Sequence, residues 1–330
     1  MRPALAPMLF DTAALARLQA TADVDITLIA DDFTTAPARA ALARAEILLT
    51  AWECPVLDDA VLAAAPALRA VVHAAGSVKH HITGACWDSG IAVSSAAAIN
   101  AIPVAEYTFA AIIMANKRVL PLAHEYRRTP GTPRDWSDWT RLHPEMGNYR
   151  KTIGVVGCSR IGRRVIEMLR QLDVNVLVHD PYTDTAEAAA IGATLTDLDA
   201  LIAASDVVTL HAPANGETRH LINRRRLRLM RDGATLINTS RGALVDQAAL
   251  TDELRAGRLY AVIDVTEPEI LPADHAFYRL PNVLLTPHIA GSLGGELRRI
   301  GDSAISEVER YARGLPFAWP VAPERLAFLA

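Results

Sequence analysis

The chain has 330 residues, a formal net charge of −4, 51% apolar residues and 21% charged residues. This length exceeds what a single hydrophobic core usually serves, so two domains are expected. The slightly acidic balance provides no basic field to attract nucleic acid, and the apolar fraction is typical of a globular protein.

The cysteine, histidine and apolar patterns argue against a disulfide-bonded, a metal-binding and a membrane protein. Cys54, Cys86 and Cys158 have no metal-ligand spacing and cannot all pair, so they are expected to be reduced thiols. His80 and His81 are adjacent but lack a third ligand, so no metal site is expected. With no signal-like N-terminus and no apolar run of about 20 residues, the sequence predicts a cytoplasmic protein without a membrane partner.

The first hundred residues alternate between strand-like and helix-like segments. The expected strands are Ile26–Ala30, Ile47–Thr50, Ala70–His73 and Ile91–Ser94, and Ala36–Ala45 and Leu57–Ala65 are expected helices. A long helix is predicted over Ile102–Val119, with Pro103 in its first turn. The polar stretch Arg127–Tyr149 is predicted to be irregular and to cover a partner surface.

The alternation resumes after Lys151 and predicts a doubly wound α/β sheet. The expected strands are Thr152–Val156, Val174–Val178, Asp206–His211, Ala234–Asn238, Tyr260–Val265 and Val283–Thr286. Helices are expected over Arg163–Leu172, Asn223–Met230, Gln247–Ala256 and Leu293–Arg313.

The segment from Gly154 to Asp180 has the layout of a dinucleotide-binding unit. A strand enters the turn Gly157-Cys158-Ser159-Arg160-Ile161-Gly162, a helix follows, and a second strand ends at Asp180. Unpaired N–H groups at the helix start favour a pyrophosphate, and an acid at this spacing suits the adenosine ribose. The usual middle glycine is Ser159, which cannot adopt a positive φ as readily as glycine.

Three later strand exits carry groups suited to acid–base chemistry. Arg241 follows the strand ending at Asn238, where a guanidinium can bind a carboxylate through two parallel hydrogen bonds, although pairing with Asp246 on the surface is an alternative. The next two strands are followed by the acidic segment Asp264–Glu269 and by His288, and a glutamate of that segment could form a carboxylate–imidazole pair that acts as acid or base near neutrality.

The order of these motifs identifies a resemblance to the D-2-hydroxyacid dehydrogenase family, which includes glyoxylate/hydroxypyruvate reductases and phosphoglycerate dehydrogenases. The resemblance extends from about Ala70 to Pro316. The motifs that carry it are Ala74–Val78, Asn100 with Val104–Glu106, the glycine turn with Asp180, His211–Pro213 with Thr218–Asn223, Asn238–Gly242, Asp264–Glu269 and Thr286–His288.

The resemblance implies a catalytic set of Arg241, Glu269 and His288. Arg241 would bind the carboxylate of a 2-oxo acid and polarise its carbonyl, while His288 would exchange a proton with the carbonyl oxygen. Glu269 would orient His288, with Glu267 as the competing acid. The substrate carboxylate would also receive backbone N–H groups from Ala75, Gly76 and Ser77, and Trp52, Glu53 and His73 are further candidates for the substrate pocket.

The same resemblance implies NAD as the cofactor. Its expected contacts are Gly157, Ser159, Arg160, Ile161, Gly162, Asp180, His211, Pro213, Thr218, Thr239, Ser240, Asp264 and Gly291. Arg160 and Ile161 would meet the pyrophosphate, Asp180 the ribose, and Asp264 the nicotinamide carboxamide. The negative charge of Asp180 would repel a 2′-phosphate, so NAD is expected to be preferred over NADP.

The implied fold has two Rossmann-like or flavodoxin-like doubly wound parallel-sheet domains with a cleft between them. Residues 1–101 plus 292–330 would form a discontinuous substrate-binding domain, and residues 102–291 the NAD-binding domain. A homodimer through the cofactor domain is expected, with the stretch Arg127–Tyr149 in that contact.

Two departures from the family pattern are Ile270, where a proline often follows the acid, and the single glycine in the loop Ala75–Ser77. The favoured activity is NAD-dependent reduction of a small 2-oxo acid. Oxidation of phosphite or formate on the same fold is an alternative, although Glu269 argues against formate. A non-catalytic NAD-sensing corepressor is the third interpretation, because such proteins can retain the catalytic set.

Overall fold

The computed structural model describes residues 1–131 and 135–328. The chain divides into two compact units. The first contains Met1–Ala101 and the described residues from Gly291 onward, and the second is Ile102–Ala290.

The first unit is built around a parallel sheet of three strands in the order β1-β2-β3. These strands are β1 (Ile47–Thr50), β2 (Ala70–His73) and β3 (Ala92–Ser95). The helices before and between them are α1 (Ala6–Leu9), α2 (Thr12–Thr21), α3 (Ala36–Leu42), α4 (Asp59–Ala64) and α5 (Gly84–Asp88), with a 3₁₀ turn at Pro3–Leu5. All four residues of β2 are buried, as expected for a central strand covered on both faces.

The predicted strand over Ile26–Ala30 does not form. Asp25 instead accepts hydrogen bonds from the N–H and the hydroxyl of Thr27, at 2.9 and 2.6 Å, and its carbonyl accepts from the N–H of Leu28. A local turn of this kind uses the backbone donors that a sheet would need.

A continuous helix, α6 (Ala97–Asn116), contains the boundary between the two units. It begins five residues before the predicted start, so Pro103 lies inside the helix rather than in its first turn. By length and composition α6 could cross a membrane, which differs from the expectation that no segment would. Ala105, Ala111 and Ile112 of α6 lie in a buried core of the second unit, so we assign it as a core helix.

Two further helices follow α6: α7 (Val119–Arg128) and α8 (Trp136–Leu142). The predicted irregular stretch Arg127–Tyr149 therefore contains a helix, and its residues 132–134 lie outside the described residues. Asp135 and Asp138 form a reciprocal capping box that begins α8, a local signal that the prediction missed.

The second unit contains a seven-stranded parallel sheet in the order β10-β9-β8-β7-β4-β5-β6. The strands are β4 (Thr152–Val156), β5 (Asn175–His179), β6 (Thr194–Leu195), β7 (Val207–Leu210), β8 (Thr235–Asn238), β9 (Tyr260–Ile263) and β10 (Val283–Leu285). The helices are α9 (Arg160–Leu169), α10 (Thr185–Ala190), α11 (Leu198–Ala204), α12 (Arg224–Leu229) and α13 (Gln247–Arg255), with 3₁₀ turns at Gly242–Leu244 and Ala276–Tyr278. The strand order reverses between β4 and β7, which confirms the doubly wound α/β fold and marks the edge where such sheets bind ligands.

The last helix, α14 (Glu296–Ala312), returns to the first unit and completes its core, and a 3₁₀ turn follows at Pro323–Phe328. A Cβ at Gly301 would collide with the carbonyl oxygen of Leu9, so glycine lets α14 approach α1 closely. The buried carboxylate of Glu307 accepts from the Ser94 hydroxyl at 2.6 Å and from the N–H groups of Ala318 and Trp319. These contacts fix the segment after α14 to β3.

Candidate active site

The glycine turn after β4 fits closely against the segment after β7. Gly157 has a φ of +99°, and a Cβ there would lie 2.6 Å from the amide nitrogen of Ala212. A Cβ at Gly162 would collide with the carbonyl oxygen of Gly157. Both positions therefore require glycine.

Ser159 lies at the N-cap of α9, with its hydroxyl accepting from the N–H of Gly162 at 3.4 Å. Its φ is −67°, so the middle position of the turn needs no positive φ, and the expected cost of replacing glycine does not arise. Helix α9 begins at Arg160, three residues before the predicted start at Arg163, so Arg160 and Ile161 are its first two residues. Their contact with a pyrophosphate stays a prediction.

Asp180 lies directly after β5 and is turned toward the glycine turn. One carboxylate oxygen accepts from the N–H of Cys158 at 2.7 Å and the other from the N–H of Tyr182 at 2.8 Å. These two bonds fix the orientation of the carboxylate beside the turn, at the position expected for a ribose contact.

The segment after β7 is also held by internal hydrogen bonds. The Thr218 hydroxyl donates to the carbonyl of Pro213 at 2.6 Å, and the hydroxyl of Ser240 donates to the carbonyl of Ala212 at 2.8 Å. His211 is buried, and burial lowers its pKa to about 3, so the imidazole is neutral. Its Nε2 bonds Thr209, while its Nδ1 has no partner among the described residues.

Arg241 lies on a loop that Asn238 holds from the end of β8. The Asn238 amide donates to the carbonyl of Arg241 at 2.9 Å and accepts from the N–H of Ser240 at 3.1 Å. A Cβ at Gly242 would collide with the backbone of Thr266, so this loop lies directly against the segment after β9. Asn238 and Gly242 are supporting residues that the site prediction did not include.

The guanidinium of Arg241 is partly buried. In the part of the chain that the structure describes, its one hydrogen bond joins Nη1 to the carbonyl of Ser240 at 2.7 Å. Burial lowers the pKa of Arg241, and the negative charge of Glu269 opposes that shift. A desolvated guanidinium near a carboxylate is suited to accept an anionic ligand.

Glu269 and His288 are in contact, as the sequence predicts. Oε1 of Glu269 lies 2.6 Å from Nδ1 of His288, and about half of each side chain is exposed. The competing acid, Glu267, instead pairs with Arg219 at 2.9 Å, and that arginine lowers the pKa of Glu267. Because Nδ1 is engaged by Glu269, Nε2 is the ring nitrogen of His288 that faces away from this pair.

Asp264 is buried, and its carboxylate organises the turn around His288. One oxygen accepts from the Thr286 hydroxyl at 2.6 Å and from the N–H of Ile289 at 2.8 Å, and the other accepts from the N–H of Ala290 at 2.9 Å. The predicted contact of Asp264 with the nicotinamide carboxamide stays a prediction, and the structure adds this supporting role.

Helix α6 supplies two side chains to the site that the sequence gave no signal for. The Tyr107 hydroxyl lies 2.9 Å from the hydroxyl of Thr286, and the Thr108 hydroxyl lies 2.9 Å from that of Thr239. Helix α6 therefore contacts the segment before His288 through Tyr107 and the expected cofactor contact Thr239 through Thr108.

The predicted carboxylate-binding loop Ala75–Ser77 lies in the first unit, directly after β2. Gly291, an expected cofactor contact, falls in the same unit, where it packs against the side chain of Asn100. His73, expected as a pocket residue, is buried at the end of β2, with Nδ1 2.9 Å from the Thr50 hydroxyl. In the described ranges, no cluster of three or more metal-ligating side chains occurs.

The buried histidines His73 and His81 are expected to make the stability of the first unit sensitive to acid. Their ring centroids lie 4.3 Å apart, and burial lowers the pKa of His81 to about 4 and that of His73 well below 6.5. The unfolded chain, with histidine pKa values near 6.5, then binds more protons, so the free energy of unfolding decreases as pH falls from about 7 to about 4. By pH 5 the loss is expected to reach about 1 kcal/mol or more, or a few degrees in Tm.

Thermal unfolding of wild type, His81→Gln and His80→Gln at pH 7 and pH 5 tests this expectation. The loss of Tm on acidification should be smaller in His81→Gln than in wild type. His80 is exposed, and its charge adds less than burial to the lowered pKa of His81, so His80→Gln should keep most of the acid loss. An identical acid loss in all three proteins would contradict the expectation.

Comparison with known proteins agrees with this geometry. A family model described as D-isomer specific 2-hydroxyacid dehydrogenase, NAD binding domain, matches residues 109–290, which is more than half of the chain. The glyoxylate reductase of Thermofilum pendens is 34% identical over 260 residues, which are 78% of this chain and 76% of that protein. The D-3-phosphoglycerate dehydrogenase of Archaeoglobus fulgidus is 34% identical over 261 residues, covering 79% of this chain but only 48% of that protein.

The fold is shared with a solved member of the same group. The D-lactate dehydrogenase of Aquifex aeolicus, complexed with NAD and lactic acid, has a TM-score of 0.69 at 26% identity, covering 92% of this chain and 93% of that chain. With its doubly wound sheet, its glycine turn followed by Asp180, and its Glu269–His288 pair beside Arg241, this chain belongs to the D-isomer-specific 2-hydroxyacid dehydrogenase family of NAD-dependent oxidoreductases.

Proposed function

We propose that this protein catalyses reversible hydride transfer between NADH and a small 2-oxo acid, mainly as a reductase. The observation that carries the proposal is the hydrogen-bonded Glu269–His288 pair with the partly buried guanidinium of Arg241 close to Glu269. An anion-binding group beside an acid–base group is what a 2-oxo acid needs, since its carboxylate and its carbonyl oxygen are adjacent.

Arg241 would bind the substrate carboxylate. Its planar guanidinium offers parallel N–H donors that match the two carboxylate oxygens, and burial strengthens such a charge-assisted pair. The hydrogen bonds of the Asn238 amide and the close approach at Gly242 fix the loop. The guanidinium of Arg241 is therefore in place before substrate binds. The N–H groups of Ala75, Gly76 and Ser77 are proposed as further carboxylate donors.

His288 would supply the proton. Glu269 accepts the hydrogen of Nδ1, so its negative charge stabilises the positive charge of the protonated ring and orients Nε2. When bound, NADH would supply the hydride. The Nε2–H of His288 would protonate the carbonyl oxygen and so prevent a full negative charge from forming there. In the oxidative direction, neutral His288 accepts the hydroxyl proton of the 2-hydroxy acid.

The residues around the glycine turn fit a dinucleotide. Gly157 and Gly162 allow the backbone to approach a pyrophosphate, and the ten-residue helix α9 begins there, with its N-terminal N–H groups and the positive end of its dipole at the turn. Thr239 and Ser240 lie at the end of β8, where the nicotinamide end is proposed to bind. Asp180, with its orientation fixed by two N–H groups, would bind the ribose hydroxyls.

Asp180 is expected to make the enzyme prefer NADH over NADPH. A 2′-phosphate beside this carboxylate would experience like-charge repulsion of about 1 kcal/mol or more. Asp180→Asn removes the charge with little change of shape, and the ratio of kcat/KM for NADH to that for NADPH should fall about tenfold. Asp173→Asn, at an exposed position before β5, should leave the ratio unchanged. Equal or better turnover of the wild type with NADPH would sink the proposed preference.

The activity is tested by loss of NADH absorbance against glyoxylate, hydroxypyruvate, pyruvate, phenylpyruvate and 2-oxoisocaproate. Turnover of at least one acid supports the proposal, and the ranking identifies the side chain preferred. Tight NADH binding with no turnover of any of them would overturn it and favour the phosphite or NAD-sensor alternatives.

We further propose that residues 102–291 bind NAD, that residues 1–101 plus 292–330 bind the substrate, and that the protein is a cytoplasmic homodimer. The three cysteines are all free thiols, as a reducing compartment favours. Tyr126, Trp136, Leu142 and Tyr149 are large apolar residues exposed around the stretch Arg127–Tyr149. Contact with a second copy would remove these side chains from water.

The homodimer is expected to have a solution mass of about 71 kDa, twice the 35.6 kDa of one chain. Size-exclusion chromatography with light scattering measures it directly. Trp136→Glu should shift the mass toward the monomer, because a charge would be buried in the contact. A monomeric wild type at micromolar concentration would contradict the proposal.

A further inference from the structure

The backbone at His288 needs support from its surroundings. Its φ of +55° is left-handed, a conformation that residues other than glycine adopt seldom. The His288 N–H is shared between the carbonyls of Asp264, at 2.9 Å, and Thr286, at 3.1 Å. The direction of the imidazole therefore depends on the hydrogen bonds that hold this turn.

The hydroxyl of Thr286 lies between two partners, and their chemistry fixes which group donates. Its Oγ1 is 2.6 Å from Oδ1 of Asp264 and 2.9 Å from the Tyr107 hydroxyl. An ionised carboxylate only accepts, so Thr286 donates its one hydroxyl hydrogen to Asp264. Tyr107 must then be the donor to Thr286. The three groups form a directed chain that ends on the carboxylate.

That carboxylate holds the residues on the far side of the turn. Asp264 accepts from the N–H groups of Ile289 and Ala290, directly after His288. The Asp264 carboxylate forms no ion pair with a cation in the part of the chain that the structure describes, so these donors and Thr286 compensate its charge. Each donor polarises the carboxylate for the others, and loss of one loosens the arrangement.

Tyr107 is placed to be a permanent donor. It lies on α6, a rigid core helix, and its ring packs against the core that contains Ile153 and Val165. Burial, and to a smaller degree the charge of Asp264, raises the pKa of the Tyr107 hydroxyl, so it stays protonated around neutral pH. Removing the hydroxyl alone would leave the ring packing intact.

We propose that Tyr107 is a positioning residue: through Thr286 and Asp264, its hydroxyl holds the turn that directs His288. The proposal rests on the proposed acid–base function of His288. It assigns the hydroxyl no contact with substrate or cofactor, so its effect should fall on kcat rather than on the binding of NADH.

Steady-state kinetics of Tyr107→Phe, Thr286→Val and Thr286→Ser test the chain. The first two variants should each lower kcat about tenfold with KM for NADH within twofold of wild type. Thr286→Ser keeps the hydroxyl and should restore most of the activity. The double variant Tyr107→Phe/Thr286→Val should be no slower than Thr286→Val alone, because each substitution breaks the same series of hydrogen bonds. Tyr278→Phe removes the hydroxyl of a half-exposed tyrosine that donates to the carbonyl of Leu271 at 3.5 Å, outside the Tyr107–Thr286–Asp264 series, and should resemble wild type.

Hydrogen–deuterium exchange of the protein without substrate gives a readout that does not depend on activity. The amides of 286–290 should exchange faster in Tyr107→Phe and Thr286→Val than in wild type, Thr286→Ser and Tyr278→Phe. Unchanged exchange in Tyr107→Phe, or unchanged kcat in an active enzyme, would overturn the positioning role. If wild type reduces no 2-oxo acid, the proposed function fails, and the exchange measurement still decides whether Tyr107 holds the turn.

Discussion

Replacing His288 with glutamine is expected to lower kcat for 2-oxo acid reduction by about 10²–10⁴-fold, the usual contribution of a positioned acid or base. Glutamine is similar in size and can still donate a hydrogen bond, but it cannot release a proton to the carbonyl oxygen. KM for NADH should change little, because the imidazole is assigned to proton exchange. Steady-state kinetics with the preferred 2-oxo acid measure the effect.

Two further variants make this result specific. His124→Gln changes a histidine on α7, outside the site, and should resemble wild type. Glu269→Gln should also reduce kcat, and combining it with His288→Gln should add little, since Glu269 acts through the imidazole. A His288→Gln enzyme with wild-type kcat would show that the proton comes from another group.

Replacing Arg241 with alanine is expected to lower kcat/KM for the 2-oxo acid by about 10³-fold. A charge-assisted hydrogen bond contributes roughly 1.5–3 kcal/mol, and two parallel bonds to one carboxylate are lost together. Arg241→Lys keeps the charge but not the planar pair of donors, so it should recover only part of the loss. The KM for the oxo acid should rise, whereas the KM for NADH should not.

Arg228→Lys on the exposed face of α12 is the matched control and should have no effect. Added guanidinium should partly restore turnover in Arg241→Ala, because the vacated volume is surrounded by the same loop. If Arg241→Ala retains the wild-type KM for the oxo acid, the carboxylate binds elsewhere and the proposed role of this residue is wrong.

Much of the site could be predicted because it lies at strand exits. Arg241, Glu269 and His288 follow β8, β9 and β10, and the carboxyl ends of neighbouring parallel strands meet at one edge of a sheet. A short apolar run followed by a charged residue therefore indicates position as well as chemistry. Strand position alone did not distinguish Glu269 from the nearby Glu267, because both follow β9; the family resemblance favoured Glu269, and in the structure Glu267 pairs with Arg219 instead.

The supporting contacts could not be predicted in this way. Tyr107 and Thr286 are 179 residues apart in the chain, and each fits an ordinary apolar-helix or strand-end pattern. Nothing in either pattern specifies a hydroxyl pair, since that depends on how α6 lies against the sheet. Likewise, Asp264 has the same sequence context whether it binds a ligand or the N–H groups of Ile289 and Ala290.

The errors in the fold have local causes. The strand predicted over Ile26–Ala30 is replaced by a turn because Asp25 supplies competing hydrogen bonds. Strand β6, Thr194–Leu195, is too short to give an alternating pattern, so it was missed. Pro103 suggested the start of α6 because proline favours the first turn, but the alanine-rich residues before it extend the helix to Ala97.

The return of α14 to the first unit has a consequence for biosynthesis. Leu297, Ile300 and Ile305 share a core with Leu9 and Phe10, yet all of residues 102–290 are translated between them. The cofactor-binding unit is contiguous and can fold as it leaves the ribosome, whereas the earlier segment must wait with its apolar surface uncovered. We therefore expect a nascent chain in which the second unit can be folded while the first is still incomplete, an interval in which the exposed apolar surface favours aggregation.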